Sequence, residues 1–302
     1  MDFDITRLGF TLLGLLIVLN WGLLMSSIMR KLGARVARRY GIRWYQPWID
    51  LVKNYALRSQ ITHGIMFYLG PVFRISGGVG MFLFMPMLIG SQYWLNYSFQ
   101  GDLVLIMYFQ FFGMLGMALG AGEGGHPNSA IGISRGLSQF TTIEVPMTLA
   151  FLSIAIQYDT LSIIEIVEAQ QGGIMNWTMW TNPVATIAAM LALLGALSHS
   201  PFNLVKAPNE IPIGPPTEYH GAFLGVLRTN SAILHVVEAA LFMNLFFGGA
   251  TNWFEFILKT FLIYFWSVFV GVVFPRFRIE QSVTWFLKVP LVLGVLAIIL
   301  YM

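Results

Sequence analysis

The sequence predicts an all-α polytopic membrane protein with about eight transmembrane helices, an amphipathic surface helix and a proline-rich inner loop. Of the 302 residues, 57% are hydrophobic and only 10% are charged, whereas a soluble domain carries about 25% charged residues. The mean hydropathy is +0.71. These values exclude a disordered chain, a solenoid of polar repeats and an ordinary soluble enzyme. We therefore expect a single membrane domain over residues 1–302.

Eight apolar stretches approach or exceed the roughly 20 residues that a helix needs to cross a bilayer. They cover residues 8–29, 65–95, 103–121, 137–157, 184–197, 222–247, 253–274 and 283–301. The second contains Pro71 and Gly77-Gly78, and the fifth is the shortest. The N-terminus lacks the basic start and clear cleavage site of a signal peptide, so we expect the first stretch to remain as a span.

Basic residues divide unequally between the two sides that eight spans define. The connections on one side are residues 30–63, 121–137, 198–221 and 275–282. They carry Arg30, Lys31, Arg35, Arg38, Arg39, Arg43, Lys53, Arg58, Arg135, Lys206, Arg276 and Arg278. The N-terminus and the connections on the other side carry Arg7 alone. The positive-inside rule predicts a multi-pass protein of the cell (inner) membrane, embedded in the lipid bilayer, with both termini outside.

The first inner connection, residues 30–63, is long and contains a helical pattern. Apolar side chains at positions 44, 45, 48, 51, 52 and 55 would share one face of a helix. This pattern predicts an amphipathic helix at the membrane surface. Such a helix could be a membrane-surface anchor or a docking platform for a soluble partner, and the two interpretations are compatible.

Ionisable residues inside a bilayer are costly, so they are candidates for function. Glu144 lies in the fourth stretch, two residues before Pro146, and Arg135 lies nearer the inner mouth. His235 and Glu238 are three residues apart in the sixth stretch and share a helix face. A structural, hydrogen-bonded carboxylate is the alternative for Glu144, and subunit packing is the alternative for the other two.

The connection 198–221 contains five prolines, which prevent a continuous helix and stiffen the backbone. Irregular backbone at membrane depth must be buried in protein or face a wet cavity. We therefore expect Glu210 and Glu218 to line such a cavity. The alternative is an ordinary solvated loop with two surface glutamates.

Several kinds of chemistry are not supported by the sequence. The chain has no cysteine, which excludes disulfides and cysteine-ligated iron–sulfur or zinc sites within it. No nucleophile triad, zinc-protease motif or phosphate-binding loop is present, and the glycine-rich residues 120–125 are predicted to be a flexible inner turn. We predict no catalytic residue, metal or cofactor in this chain, and no nucleic-acid partner.

Five stretches together resemble the subunit 1 family of respiratory NADH dehydrogenase, complex I. The family's P-F-D-L…E-Y-S-G loop signature is matched by Pro201, Phe202, Leu204, Glu210, Glu218, Tyr219 and Gly221. Similar motifs occur in the same order at residues 46–53, 132–146, 165–170 and 275–288. The resemblance covers nearly the whole chain.

The loop departs from the family pattern at three acidic positions. Asn203 stands where the family has an aspartate, and Lys206 and Pro208 stand where it has glutamates. In that family the acidic loop borders the quinone chamber and the start of the proton path, so these departures argue against quinone reduction. The loop looks more like that of the membrane-bound NiFe-hydrogenases and their sulfur-reducing relatives, which use no quinone.

The resemblance implies a non-redox membrane anchor and coupling subunit of a ferredoxin-linked membrane-bound hydrogenase or sulfur reductase. Iron–sulfur clusters, with or without a NiFe centre, would lie in partner subunits. The partners implied are soluble electron-transfer subunits on the inner face and antiporter-like membrane subunits. The alternatives are a quinone-chamber subunit of an NADH- or deazaflavin-dependent dehydrogenase and a stand-alone secondary transporter. The terminal electron acceptor and the translocated ion, proton or sodium, stay open.

Two groups of residues follow from this interpretation. The predicted proton-path and coupling residues are Glu144, Glu210, Glu218, Arg135, His235 and Glu238. The predicted interface with the soluble arm consists of Asp50, Lys53, Lys206, Arg276 and Arg278.

Overall fold

The computed structural model describes residues 5–59, 63–205, 210–211 and 213–302, and these residues form helices, turns and loops without a strand. The helices on the N-terminal side are α1 (Ile5–Val36), α2 (Gln46–Ala56), α3 (Ile65–Phe84), α4 (Asp102–Gly122), α5 (Pro127–Tyr158) and α6 (Ile163–Ala169). Those that follow are α7 (Thr178–Thr181), α8 (Pro183–Ala196), α9 (Gly221–Phe246), α10 (Trp253–Val273), α11 (Ile279–Lys288) and α12 (Pro290–Tyr301). Short 3-10 turns occupy Gln92–Trp94 and Ile174–Asn176.

The all-helical membrane fold predicted from the sequence is confirmed. In the described part of the chain, seven helical stretches are long and apolar enough to cross a membrane: α1, α3, α4, α5, α9, α10, and α11 with α12. The fifth predicted stretch is α8, an apolar helix of 14 residues, which is shorter than a usual span.

Two predicted span boundaries are wrong by ten residues or so, and prolines explain both. The second span was expected to reach residue 95, but α3 ends at Phe84 because Met85 precedes Pro86 and takes an extended conformation. The fourth was expected to begin at residue 137, but α5 begins at Pro127, a favourable first helical residue. The side chain of His126 caps α5 by accepting a hydrogen bond from the Asn128 amide at 3.1 Å. Most of the predicted connection 121–137 is therefore helix.

The predicted surface helix is α2, and it lies against the inner ends of α1 and α9. The Tyr55 hydroxyl is 2.9 Å from the Thr229 hydroxyl on α9. The Trp48 indole donates to the Asn20 side chain on α1 at 2.9 Å. Ile49 remains exposed, as an apolar residue would be where a helix meets lipid.

Glycines allow α3 and α4 to pack in close contact. A Cβ atom on Gly77 would lie 2.7 Å from the Gly113 Cα and 2.8 Å from the Phe109 carbonyl oxygen. A Cβ on Gly70 would lie 2.8 Å from the Gly120 Cα. In lipid, where the hydrophobic effect does not drive helices together, such small-residue contacts supply the van der Waals packing that does.

The central element is α9, whose second half is buried on nearly all sides. It contacts α1, α2, α3 and α10. Gly22 of α1 packs directly on the Ala232 carbonyl, and Gly78 of α3 packs directly on the Asn230 side chain. Polar groups on α9 are therefore held in the middle of the bundle.

Buried Gln170 satisfies the outer end of α9, which would otherwise leave carbonyl groups unpaired. Its side-chain amide donates to the carbonyl oxygens of Asn244 at 3.0 Å and Leu245 at 3.2 Å. Its side-chain oxygen accepts from the amides of Gly248 at 3.0 Å and Thr178 at 3.2 Å. Gln170, the last residue of the 165–170 motif, thus joins the end of α6 to the end of α9 by hydrogen bonds.

Replacing Gly77 with leucine should destabilise the bundle, because the new side chain would meet the α4 backbone. We expect the Gly77→Leu protein to lose about 1–3 kcal/mol of unfolding free energy, the usual cost of overpacking, measured by thermal unfolding in detergent. Gly9→Leu in α1 is the matched control, since a Cβ at Gly9 has nothing within 4 Å. Equal unfolding temperatures for the two variants would contradict the close α3–α4 packing.

Candidate functional site

A cavity of about 510 Å³ lies inside the bundle, at the end that carries the proline-rich loop. Its walls come from α1, α3, α4, α5, α8, α9 and α10. The proline-rich loop closes it through Asn203, Val205, Pro215 and Pro216. The sequence correctly predicted irregular backbone facing a cavity, and the described loop residues that line it include His199 as well as polar and apolar groups.

Three aromatic rings with titratable groups meet in this cavity. His199, His235 and Tyr264 line it, with ring centroids 5.8 Å apart for the two histidines and 5.3 Å apart for His235 and Tyr264. The Tyr264 hydroxyl is 3.5 Å from Nδ1 of His235. His235 was a predicted site residue, whereas His199 and Tyr264 were missed because the segment after α8 meets α9 and α10 only in the folded bundle.

Glu238 lines the same cavity and is 4% exposed. Its Oε2 atom has no hydrogen-bond partner among the described residues. Arg74 of α3 also lines the cavity and lies within Coulombic range of Glu238. The Arg74 guanidinium makes one hydrogen bond in the described structure, to the thioether of Met114 at 3.8 Å. Arg74 was not predicted, although a charged residue within the apolar stretch 65–95 is itself a signal of function.

Glu144 is on α5 and is not among the described lining residues of the cavity. It is partly buried, and its Oε1 atom has no hydrogen-bond partner within the described parts of the chain. It lies within Coulombic range of Glu238. The structure therefore brings the predicted Glu144, His235 and Glu238 into one electrostatic group.

Phe202 fixes the proline-rich loop to the end of the bundle. Its ring is 1% exposed and packs on Phe277, Trp285 and Phe286, with centroid distances of 4.6–5.5 Å. The Gln139 side chain donates to the Phe202 carbonyl oxygen at 2.5 Å. This contact joins the loop to α5 and α11 at once.

Glu210 lies on the surface of the loop and is paired with Arg135 of α5, with 2.6 Å between Nη1 and Oε2. Arg276 and Arg278 are within Coulombic range of Glu210. The hydrogen bond and charge of Arg135 lower the pKa of the Glu210 carboxyl below its ordinary value. Four predicted residues, from the coupling and interface groups, thus form one surface charge cluster, which we call the Arg135–Glu210 cluster.

Glu218 occupies a separate position at the inner ends of α3 and α4. Its Oε2 atom is 3.7 Å from Nε2 of His63, and its carboxylate packs directly on Gly124. The neighbouring Tyr219 stacks on Phe67 at 4.1 Å and donates from its hydroxyl to the Phe67 carbonyl at 3.0 Å. Burial raises the pKa of the Tyr219 hydroxyl.

Neither Glu210 nor Glu218 is among the described residues that line the cavity. The expectation that both line it is wrong, for local reasons: Arg135 holds Glu210 at the surface, and Glu218 faces His63.

Two other predicted interface residues, Asp50 and Lys53, lie on α2. Asp50 accepts a hydrogen bond from Gln46 within α2 at 2.8 Å, and Lys53 is exposed one turn later. Lys206 lies outside the described residues. Among the residues that the structure describes, no three histidine, aspartate or glutamate side chains are placed to hold a metal ion.

Comparisons with known proteins agree along nearly the whole chain. The sequence profile of the family NADHdh, NADH dehydrogenase, matches residues 10–302. The chain is 26% identical to the H-subunit of NADH-quinone oxidoreductase from Protochlamydia amoebophila, over 92% of this chain and 88% of that protein. It is 27% identical to the corresponding protein of Rubrobacter xylanophilus, over 91% and 88% of the two chains.

The structure is similar to a chain of the membrane-bound sulfane sulfur reductase, an archaeal respiratory membrane complex. The TM-score is 0.90 at 30% identity, and the match covers 99% of this chain and 100% of the other.

Removing Arg135 should free the loop and abolish its acid response. The lowered pKa of Glu210 means that the pair stabilises the loop above the ordinary carboxyl pKa of about 4.3. That stabilisation is lost as pH falls through the lowered pKa. Hydrogen exchange across residues 198–211 should show this acid step in the wild type and no such step in Arg135→Gln. The matched control is Glu165→Gln on α6, which should keep the step; a step that persists in Arg135→Gln would contradict the assignment.

Proposed function

This chain belongs to the NADH dehydrogenase family and is a membrane subunit of a complex I-like respiratory complex, and from that premise we propose that it couples a soluble electron-transfer arm to ion translocation. In this proposal it is the non-redox anchor of a ferredoxin-linked sulfur reductase. The sulfur reductase is preferred because the structural match spans both chains at 30% identity. A membrane-bound NiFe-hydrogenase is the second candidate, supported by the same loop pattern.

The proposal rests on one observation: the surface charge cluster and the buried acidic group each include a residue of the same helix, α5. Arg135 and Glu144 are both on α5, about 14 Å apart at 1.5 Å per residue. Arg135 belongs to the surface cluster, while Glu144 interacts with Glu238 of the cavity. A displacement of the loop or of α5 would therefore change the electrostatic field at both groups.

Coupling would proceed through charge and position rather than through redox chemistry in this chain. Electron transfer in the soluble arm would change the charge or position of groups near Glu210. The Phe202 contact would pass a loop movement to α5, because Gln139 of α5 is bonded to the Phe202 carbonyl. Glu144, Glu238 and His235 would then load or release an ion in an interior where charges interact more strongly than in water.

Cofactors would be supplied by partner subunits. With no cysteine in the sequence, the usual thiolate ligands of iron–sulfur clusters must come from other chains. A NiFe centre, in the hydrogenase candidate, would likewise be held by a partner.

The proposed orientation has both termini outside, which requires α8 to cross the membrane as an eighth span, and it places the soluble arm on the opposite face. Arg276 and Arg278 follow α10 and lie beside Glu210, so the Arg135–Glu210 cluster is presented where the arm would dock. Laterally, α12 exposes an apolar face that includes Val292 and Ile299, which suits contact with lipid or an antiporter-like membrane subunit.

Two other functions are less well supported. A quinone-chamber role in an NADH- or deazaflavin-dependent dehydrogenase would use acidic groups at the loop, but the described lining residues there include Asn203 instead. A stand-alone transporter is not favoured by the similarity to subunits of large complexes.

The coupling role of Glu144 can be tested by Glu144→Gln in the assembled complex. We expect electron transfer to continue while the ion gradient formed per electron pair falls to near background, because the glutamine cannot exchange a proton. The measurement is gradient formation against electron flux in sealed vesicles. Glu168→Gln, on the exposed face of α6, is the matched control and should remain coupled. Unchanged coupling in Glu144→Gln would remove this residue from the mechanism.

Topology and docking can be tested together, because a chain without cysteine allows clean single-cysteine labelling. Asn252→Cys should react with a membrane-impermeant thiol reagent from the outside only. Arg278→Cys should react from the inside only, and only after the soluble arm has been stripped from the membrane. Labelling of both positions from one side would overturn the orientation, and equal labelling of Arg278→Cys with and without the arm would overturn the docking site.

A further inference from the structure

Three arginines lie at or beside the cavity, and in the described structure none of them forms an ion pair with a carboxylate. Arg30 and Arg74 line it, and Arg228 lies three residues before the lining residue Ser231, on the adjacent part of the same helix face. In the described structure, no ion pair within 4 Å involves any of the three. Arg74 is partly buried in the middle of α3, where an unpaired charge is costly in a membrane bundle, so an anionic ligand in the cavity would stabilise it.

The one acidic group near these arginines compensates them only in part. Glu238 is within Coulombic range of Arg74 but does not pair with it. An arginine offers five N–H donors, and Arg74 uses one of them on a thioether sulfur, a weak acceptor. An anion with several oxygens would satisfy the remaining donors much better.

Much of the remaining wall is apolar and adaptable, and Ser26, Gln110, Gln139 and Ser231 add polar groups to it. The apolar side chains include Met29, Met114, Met117, Phe140, Leu227, Leu234 and Val268. Methionines fill irregular space and tolerate flexible ligands. The volume of about 510 Å³ lies within the roughly 300–1,000 Å³ of small-molecule sites.

The depth of the arginines matches that of a lipid headgroup. Arg228 is exposed on α9, seven residues after the helix begins at Gly221, which is about 10 Å along the axis. Arg30 is exposed near the inner end of α1. Long basic side chains at such positions extend toward the phosphate level of the membrane.

Between α4 and α5, a pair of aromatic rings lies between the cavity and the exposed surface. Phe140 of α5 lines the cavity and stacks on Phe111 of α4, with 6.0 Å between ring centroids. Phe111 is 40% exposed and is not among the described lining residues. Two rings therefore separate the cavity from the lipid-facing surface at this point.

From these observations we infer that the cavity is a binding site for an acidic phospholipid, with its phosphate on Arg30, Arg74 and Arg228 and an acyl chain along the methionine-rich wall. A neutral ligand would leave the arginines uncompensated, and a free anion would leave the apolar wall unfilled. Bound lipid would complete the charge balance of the bundle and restrict access of water to the deeper His235 and Glu238. This site does not depend on the proposed coupling role.

The experiment adds defined ligands to the delipidated, detergent-purified complex and follows native mass spectrometry and the unfolding temperature. Dioleoyl-phosphatidylglycerol should bind to this subunit and raise the unfolding temperature. Dioleoyl-phosphatidylcholine, which has the same chains, and glycerol phosphate, which has no chains, should do neither. Equal effects from either of these, or protection by decylubiquinone without any by phosphatidylglycerol, would overturn the site.

Matched variants locate the binding. Arg74→Gln and Arg30→Gln should each weaken phosphatidylglycerol binding by about tenfold, because each removes a charge-assisted contact to the phosphate. Arg39→Gln, an exposed arginine away from the cavity, should bind normally. Arg74→Lys keeps the charge and should retain most of the binding, which preserves the test if Arg74→Gln does not assemble. Normal binding by both cavity variants, or an equal loss in Arg39→Gln, would show that the lipid binds elsewhere.

Discussion

The structure depends on one constraint: within a bilayer, a polar group that finds no partner in the protein finds none at all. Gln170 shows how the fold meets this demand, since a single buried side chain satisfies backbone groups of α9 and of the outer loop. Glycines contribute differently, because they let the backbones of α3 and α4 pack directly against each other. In the described structure, the polar atoms without a hydrogen-bond partner include several that line the cavity, on Gln110, Asn203 and Glu238.

The same constraint separates the acidic residues into two populations with different physics. Glu210 is exposed and paired, so solvent screens its interaction with Arg135 and its pKa is lowered rather than raised. Glu144 and Glu238 each have a carboxylate oxygen without a partner in the described structure. A surface pair of this kind can form and break at little cost. Buried groups of this kind respond strongly to any change in the field around them.

The sequence predicts the fold well because hydropathy is a local property. The spans, the surface helix α2 and the irregular loop all follow from composition, spacing and proline content. The predicted boundaries were wrong where proline outweighed hydropathy: Pro86 ended α3 early and Pro127 began α5 early. The site was harder, because the pairing of Glu210 with Arg135 and the meeting of His199 with Tyr264 join residues far apart in the chain. Of the site residues that were missed, Arg74 is the one with a recognisable sequence signal, because it is an arginine within an apolar stretch.

The irregular conformation of the proline-rich loop lets nearby residues face different surroundings. In a helix, all residues of the connection would follow one axis. In the loop, Glu210 lies at the surface while Asn203, seven residues earlier, lines the cavity. Phe202, packed among three rings, holds the segment to α11, and its carbonyl holds it to α5. The surface cluster and Phe202 therefore both contact α5, the helix on which Glu144 lies, through Arg135 and Gln139.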